Sequence, residues 1–167
     1  MTISGTSGIS QTSTKAQLIA CSGVPVALTG TGSETALASI RIPPMGPNDA
    51  LRIQTLWSFT NSVNTKTLQV KLSATSGITG TAFHNTGHTT TALMQAPNTI
   101  IQNANSTSSQ VGFAATSNLF GVGATSTAQT TATIQTNAGS FINLTGILAN
   151  TGETITLLRY SVELLRA

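Results

Sequence analysis

Leu51-Arg52-Ile53-Gln54-Thr55-Leu56-Trp57-Ser58-Phe59-Thr60, then Asn61-Ser62-Val63-Asn64-Thr65, then Lys66-Thr67-Leu68-Gln69-Val70-Lys71-Leu72: this stretch decides the fold class. Leu51, Ile53, Thr55, Trp57 and Phe59 occupy every second position, and so do Leu68, Val70 and Leu72. A strand sends alternate side chains to opposite faces, so each set lines one face. The polar Asn61-Ser62-Val63-Asn64 segment between them is a turn signal. The stretch reads as a long antiparallel hairpin at the centre of a sheet, carrying the only Trp of the chain.

Working outward, Pro43, Pro44 and Pro47 interrupt any strand just before it, because proline lacks the ladder donor. Thr35 to Ile42 alternates, with Ala36, Ala38, Ile40 and Ile42 on one face. Leu18 to Leu28 reads as one or two short strands about Gly23, with Cys21 as a small buried side chain. A single cysteine cannot close an intrachain disulfide. Residues 1–17 are rich in Thr, Ser and Gly and lack an apolar period. They read as an extended N-terminal arm held by a partner subunit or, alternatively, by packing along its own domain, with 18–167 as one domain. The first residues do not read as a secretory signal, since no basic region precedes an apolar block.

On the C-terminal side, turn signals recur about every ten residues and no helical period appears. Asn85-Thr86-Gly87-His88 reads as a loop, and 117–128 as a longer loop with an apolar knuckle at Leu119, Phe120 and Val122. The last segment, Thr154 to Leu165, alternates, with Leu158, Tyr160, Val162 and Leu164 on one face. About eight to ten short strands in a chain of this length fit an all-β, antiparallel β-sandwich. A jelly roll of about eight strands is the favoured form.

Composition narrows the function. Charged residues make up 7% of the chain, against roughly 25% in ordinary soluble domains. Thr and Ser take the polar positions instead, which leaves little electrostatic protection against association. Two readings stand side by side: a surface covered by partners, or one hydrated by Thr, Ser and Asn. The net charge of +3 rests on scattered cations with no basic stripe, so nucleic acid is not an expected partner. No apolar run is long enough to span a membrane as a helix.

The sequence offers no catalytic, cofactor or metal set. The four carboxylates, Glu34, Asp49, Glu153 and Glu163, show no convergence of the kind that glycoside hydrolysis needs. His84 and His88 would be about 13 Å apart on a straight strand, too far for one metal, although a loop or the symmetry of several copies could still bring them together. No nucleophile elbow, phosphate loop or dinucleotide fingerprint occurs. The chain is not expected to be an enzyme.

Three segments carry a resemblance. Residues 60–71, residues 103–111 (Asn-Ala-Asn-Ser-Thr-Ser-Ser-Gln-Val), and the ending Leu148-Ala149-Asn150-Thr151-Gly152-Glu153-Thr154 through Leu165 resemble segments of virion structural proteins of tailed bacteriophages. The resemblance implies a small β-sandwich module with a non-enzymatic structural role in the virion. A capsid decoration (cement) protein is the first expectation, and a tail or tail-fibre, receptor-binding module the second. The implied partners are the major capsid protein and neighbouring copies in a homotrimer or other symmetric oligomer. Candidate partner-binding residues are Ile3, Ile9 and Lys15 of the arm, His84 and His88, and Leu119, Phe120 and Val122 of the knuckle.

Overall fold

The computed structural model describes residues 15–89, 94–96, 98–113 and 129–167. Every regular element in them is a strand. The strands are β1 (Ala16–Ser22), β2 (Val26–Thr29), β3 (Thr35–Ile42), β4 (Ala50–Phe59), β5 (Lys66–Ser73) and β6 (Thr81–His88). There follow β7 (Met94–Gln95), β8 (Asn98–Asn103), β9 (Gln110–Phe113), β10 (Gln129–Ala132), β11 (Ser140–Leu148) and β12 (Thr154–Leu165). Ala16 and Gln17, counted above with the arm, pair with Leu165 and Leu164 of β12. Residues 1–14 and 114–128 lie outside the described residues, and with them Ile3, Ile9, Leu119, Phe120 and Val122.

All pairings are antiparallel, and they form two sheets. The larger runs β1-β12-β4-β8-β9-β10, with β2 also on β12 and β7 on β4; the smaller runs β3-β11-β5-β6. The pairings are nested. β1 and β2 pair with β12, β3 with β11, β4 with β8, and β5 with β6. The chain is thus a long hairpin with its tip at 74–80, rolled so that successive pairs alternate between two facing sheets. That winding is the jelly roll.

One expectation changes here. Leu51 to Leu72 is not a two-stranded ladder: β4 lies in the larger sheet and β5 in the smaller. Stacked sheets sit about 10 Å apart, and extended residues span about 3.3 Å each. The six residues 60–65 can therefore cross from one sheet to the other. Both strands remain central, β4 between β12 and β8, β5 between β11 and β6. Their apolar faces meet across the core instead of lying side by side.

The core is what the alternation requires. Leu51, Ile53 and Trp57 of β4 are fully buried, facing a layer that includes Leu68, Leu72 and Leu144. Trp57 donates its indole N–H to Thr55 Oγ1 at 2.7 Å, so the buried ring leaves no polar atom unmatched. Gly112 of β9 makes room for Phe83: a Cβ there would stand 2.6 Å from the Phe83 ring. Two bulges shift the expected faces. In β12 the register slips between Leu157 and Arg159, so Leu157 is buried and Leu158 leaves the inner row. In β3 a slip at Leu37 turns Leu37 inward and leaves Ala36 opposite Thr145, on the outer face. Tyr160, Val162 and Leu164 line the core as the period implies.

Candidate functional site

Each of the four carboxylates is engaged in an ion pair. Glu163 pairs with Arg52 across the β4–β12 ladder. Glu34 takes the Lys71 ammonium at 2.5 Å and the Thr145 hydroxyl at 2.7 Å, on the outer face of the smaller sheet. Asp49 accepts from Arg166 at 2.7 Å and from the N–H groups of Gly46 and Ala167. Burial pushes the Asp49 carboxyl up, but those N–H bonds and the guanidinium outweigh it and hold it below its ordinary value.

The fourth pair lashes two crossings together. Lys66 opens β5 and is buried. Its ammonium donates to Ser62 Oγ at 2.6 Å and to the Asn64 carbonyl at 2.7 Å, both in the 60–65 connector. Glu153, in the connector between β11 and β12, lies 3.2 Å away. It also accepts from Asn64 at 2.7 Å. The hydrogen bonds from Asn64 and Ser62, with Lys66 beside them, hold the Glu153 carboxyl below its usual range. Backbone bonds complete the lashing, Thr60 N–H to the Thr154 carbonyl and Ala149 N–H to the Thr65 carbonyl, both at 3.0 Å. Both connectors cross between sheets, so this corner fixes how the sheets sit on each other.

The opposite end is held by neutral groups. Asn103, Gln110 and Thr136 are fully buried. Asn103 donates to the Gly46 carbonyl at 2.7 Å and to Thr136 Oγ1 at 2.9 Å. Gln110 imitates a strand: it accepts from Ile134 N–H and donates to the Ile134 carbonyl, each at 2.9 Å. It also donates to Asn103 Oδ1 at 3.1 Å. The connectors β3–β4, β8–β9 and β10–β11 are thereby tied to one another.

The histidines are not in a loop. β6 runs unbroken to His88, and His84, Thr86 and His88 share its inward face, opposite Val70, Leu68 and Lys66 of β5. Their buried face is made of histidine and threonine, so it carries no apolar period to read. His84 and His88 are 4% and 3% exposed and present almost no surface to a partner. His88 stacks on Phe59 of the other sheet, ring centroids 5.4 Å apart and 20° between planes. Burial, then the nearby His88, pushes His84 down to about 4.

That shift predicts a pH dependence. His84 takes up a proton in the unfolded chain near 6.5 but in the fold only near 4. Its contribution is complete above the unfolded value and is lost as pH falls through that window, about 3 kcal/mol in all. The lowered carboxyls of Asp49 and Glu153 lose theirs below the ordinary carboxylate range. Urea midpoints of the native chain should therefore drop between about pH 6.5 and 4, and His84→Gln should flatten that slope.

Two further expectations meet the structure here. Cys21 is exposed, not buried. It sits on β1 opposite Ser161, on the outward row of a sheet edge that no described strand covers. Lys15, at the head of β1, is exposed, and its carbonyl accepts from Arg166 N–H. On the outer face of the larger sheet a shallow cavity of about 280 Å³ is lined by Gln54, Thr55, Leu56, Ala96, Asn98 and Arg159. Sequence reasoning missed it, because its residues come from β4, β8, β12 and the residue before Pro97. No group of three His, Cys, Asp or Glu side chains that would hold a metal comes together among the described residues.

No protein-family model matches the chain, and no curated protein matches it. Among solved structures, it is similar to arcelin-5, a lectin-like defense protein from Phaseolus vulgaris. The identity is 10%, over 91% of this chain and 92% of that one, with a TM-score of 0.40. It is also similar to the VP2 subviral particle of infectious bursal disease virus. There the identity is 12%, over 91% of this chain and 36% of that one, with a TM-score of 0.36. The fold assignment therefore rests on the strand order itself: an all-β, antiparallel sandwich wound as a jelly roll.

Proposed function

We propose that this chain is a non-enzymatic virion structural protein of a tailed bacteriophage, and specifically a capsid decoration protein that binds and stabilises the head. The observation that carries the reading is where its charge goes. All four carboxylates lie in ion pairs within the fold. Two of these pairs tie connectors at the ends of the sandwich, Lys66–Glu153 and Arg166–Asp49. Among the described residues, much of what remains outside is Thr, Ser, Asn and Gln, with Lys15, Arg41 and Arg159 as exposed cations, on a two-sheet body. Such a body suits a clamp that bridges subunits of a shell by shape and many weak contacts. The three segments that resemble phage virion proteins support the same reading. They hold the 60–65 crossing, the β8–β9 hairpin and the β11–β12 crossing with β12.

Each copy on a shell can bind modestly, because many copies act together and attachment through two points raises effective affinity. The arm is the second point in this account. Purified chain added to heads that lack it should bind to a fixed copy number per head and raise the temperature at which the heads open. Removing residues 1–14 should leave the sandwich folded and abolish that binding. Full occupancy by the shortened chain would exclude the arm as anchor. Binding to isolated tails and not to heads would move the reading to a tail or fibre module.

A further inference from the structure

We propose that the β1–β2 edge is a self-association surface, on which a second copy of this chain docks strand to strand. β1 and β2 lie one after the other along the same side of β12, while β4 fills its other side. No described strand pairs with the far side of either. Their outward N–H and C=O groups form a template for another strand.

The side chains fit that use. From Ala16 to Thr29 the sequence has no Asp, Glu, Lys, Arg or His. Edge strands are usually protected by such charges, by proline or by shortness. Here Pro25 sits in the link between β1 and β2 and shields neither. Leu18, Val24 and Val26 are 57%, 73% and 40% exposed, half of the six large apolar side chains exposed among the described residues. The other long edges differ: β3 carries Arg41, and neither β3 nor β6 exposes a large apolar side chain.

The occupant follows from the charge pattern. A charged partner finds no counter-charge on this edge. A second copy, turned about a two-fold axis, brings the same uncharged apolar strip in antiparallel direction and meets no like-charge repulsion. The larger sheet would then continue from one copy into the next. This gives the neighbouring copy a place on the fold, and it rests on the edge alone. If the chain is monomeric yet decorates heads, this inference falls and the proposed function stands. If it associates through this edge yet binds no virion part, the reverse holds.

The test uses the full chain under reducing conditions. Sedimentation at concentrations up to about 100 µM should show a dimer or higher oligomer, with association weakened at least roughly tenfold by Leu18→Lys or Val24→Lys. Under two-fold symmetry each substitution places two cations in one interface. Val63→Lys, at a 76% exposed valine in the β4–β5 connector, should leave association unchanged. Thermal melts at concentrations too low for association should match the parent for all three variants, since all three side chains are exposed. A bismaleimide should join two chains through Cys21 in the parent and fail in Leu18→Lys. A parent monomeric throughout that range overturns the proposal, as does an oligomer that Leu18→Lys and Val24→Lys leave intact. A Cys21 that becomes reactive only when residues 1–14 are removed overturns it in favour of the chain's own arm as occupant.

Discussion

Replacing Trp57 by alanine is expected to remove about 3–5 kcal/mol of stability, a large share of the roughly 5–15 kcal/mol that holds an ordinary domain together. Trp57 is fully buried at the centre of the larger sheet, opposite Leu157 of β12. Truncating it opens a cavity that two flanking strands cannot close without bending both ladders. The indole also satisfies the buried Thr55 hydroxyl. Trp57→Phe should therefore cost less than Trp57→Ala, yet more than the lost ring area implies, because the hydroxyl loses its donor. Urea unfolding followed by circular dichroism measures both. A Trp57→Ala chain as stable as the parent would mean that the ring serves a ligand surface and not the core.

Gln110→Ala is expected to be the most damaging polar substitution, at about 3 kcal/mol. Gln110 is fully buried and meets both polar groups of Ile134, as well as Asn103 Oδ1. Alanine would leave the half-buried N–H and carbonyl of Ile134 and the buried Asn103 Oδ1 without this partner, and orphaned buried groups cost about 1–3 kcal/mol each. Gln110→Glu keeps the shape and separates packing from hydrogen bonding. A carboxylate would face the Ile134 carbonyl and Asn103 Oδ1 with no hydrogen to offer, so the fold should favour its protonated form. The folded-state pKa of that Glu would be raised, and the variant should regain stability as pH falls toward its ordinary value. The variant keeps His84, whose contribution is lost over the same range, so the two contributions oppose each other and its profile should be flatter than the parent's. Matching pH profiles for the variant and the parent would contradict the network.

The sequence shows which residues are buried far better than it shows what they are buried against. Leu51, Ile53, Trp57 and Phe59, and Leu68, Val70 and Leu72, are core residues as their period implies. The same alternation is produced by a strand lying beside its neighbour and by one facing it across a core. That is why the 51–72 stretch reads as a hairpin although its halves lie in different sheets. The bulges in β3 and β12 change faces with no residue-level signal. The inward face of β6 escapes notice because His84, Thr86 and His88 are not aliphatic. Lys66 looks like a surface lysine until Glu153, far along the chain, closes over it. Cys21 looks like core because it stands among apolar residues, but β1 is an edge. Local pattern carries the burial, whereas pairings between distant segments carry the two tied corners and the edge that no described strand covers.

The proposed function makes this jelly roll a fixed part of a phage head. Electron cryomicroscopy of purified virions containing the chain tests it most directly. Density matching the two-sheet sandwich is expected on the outer surface of the head, repeated at local symmetry axes. Density confined to the tail, or particles that lack the chain altogether, would contradict it.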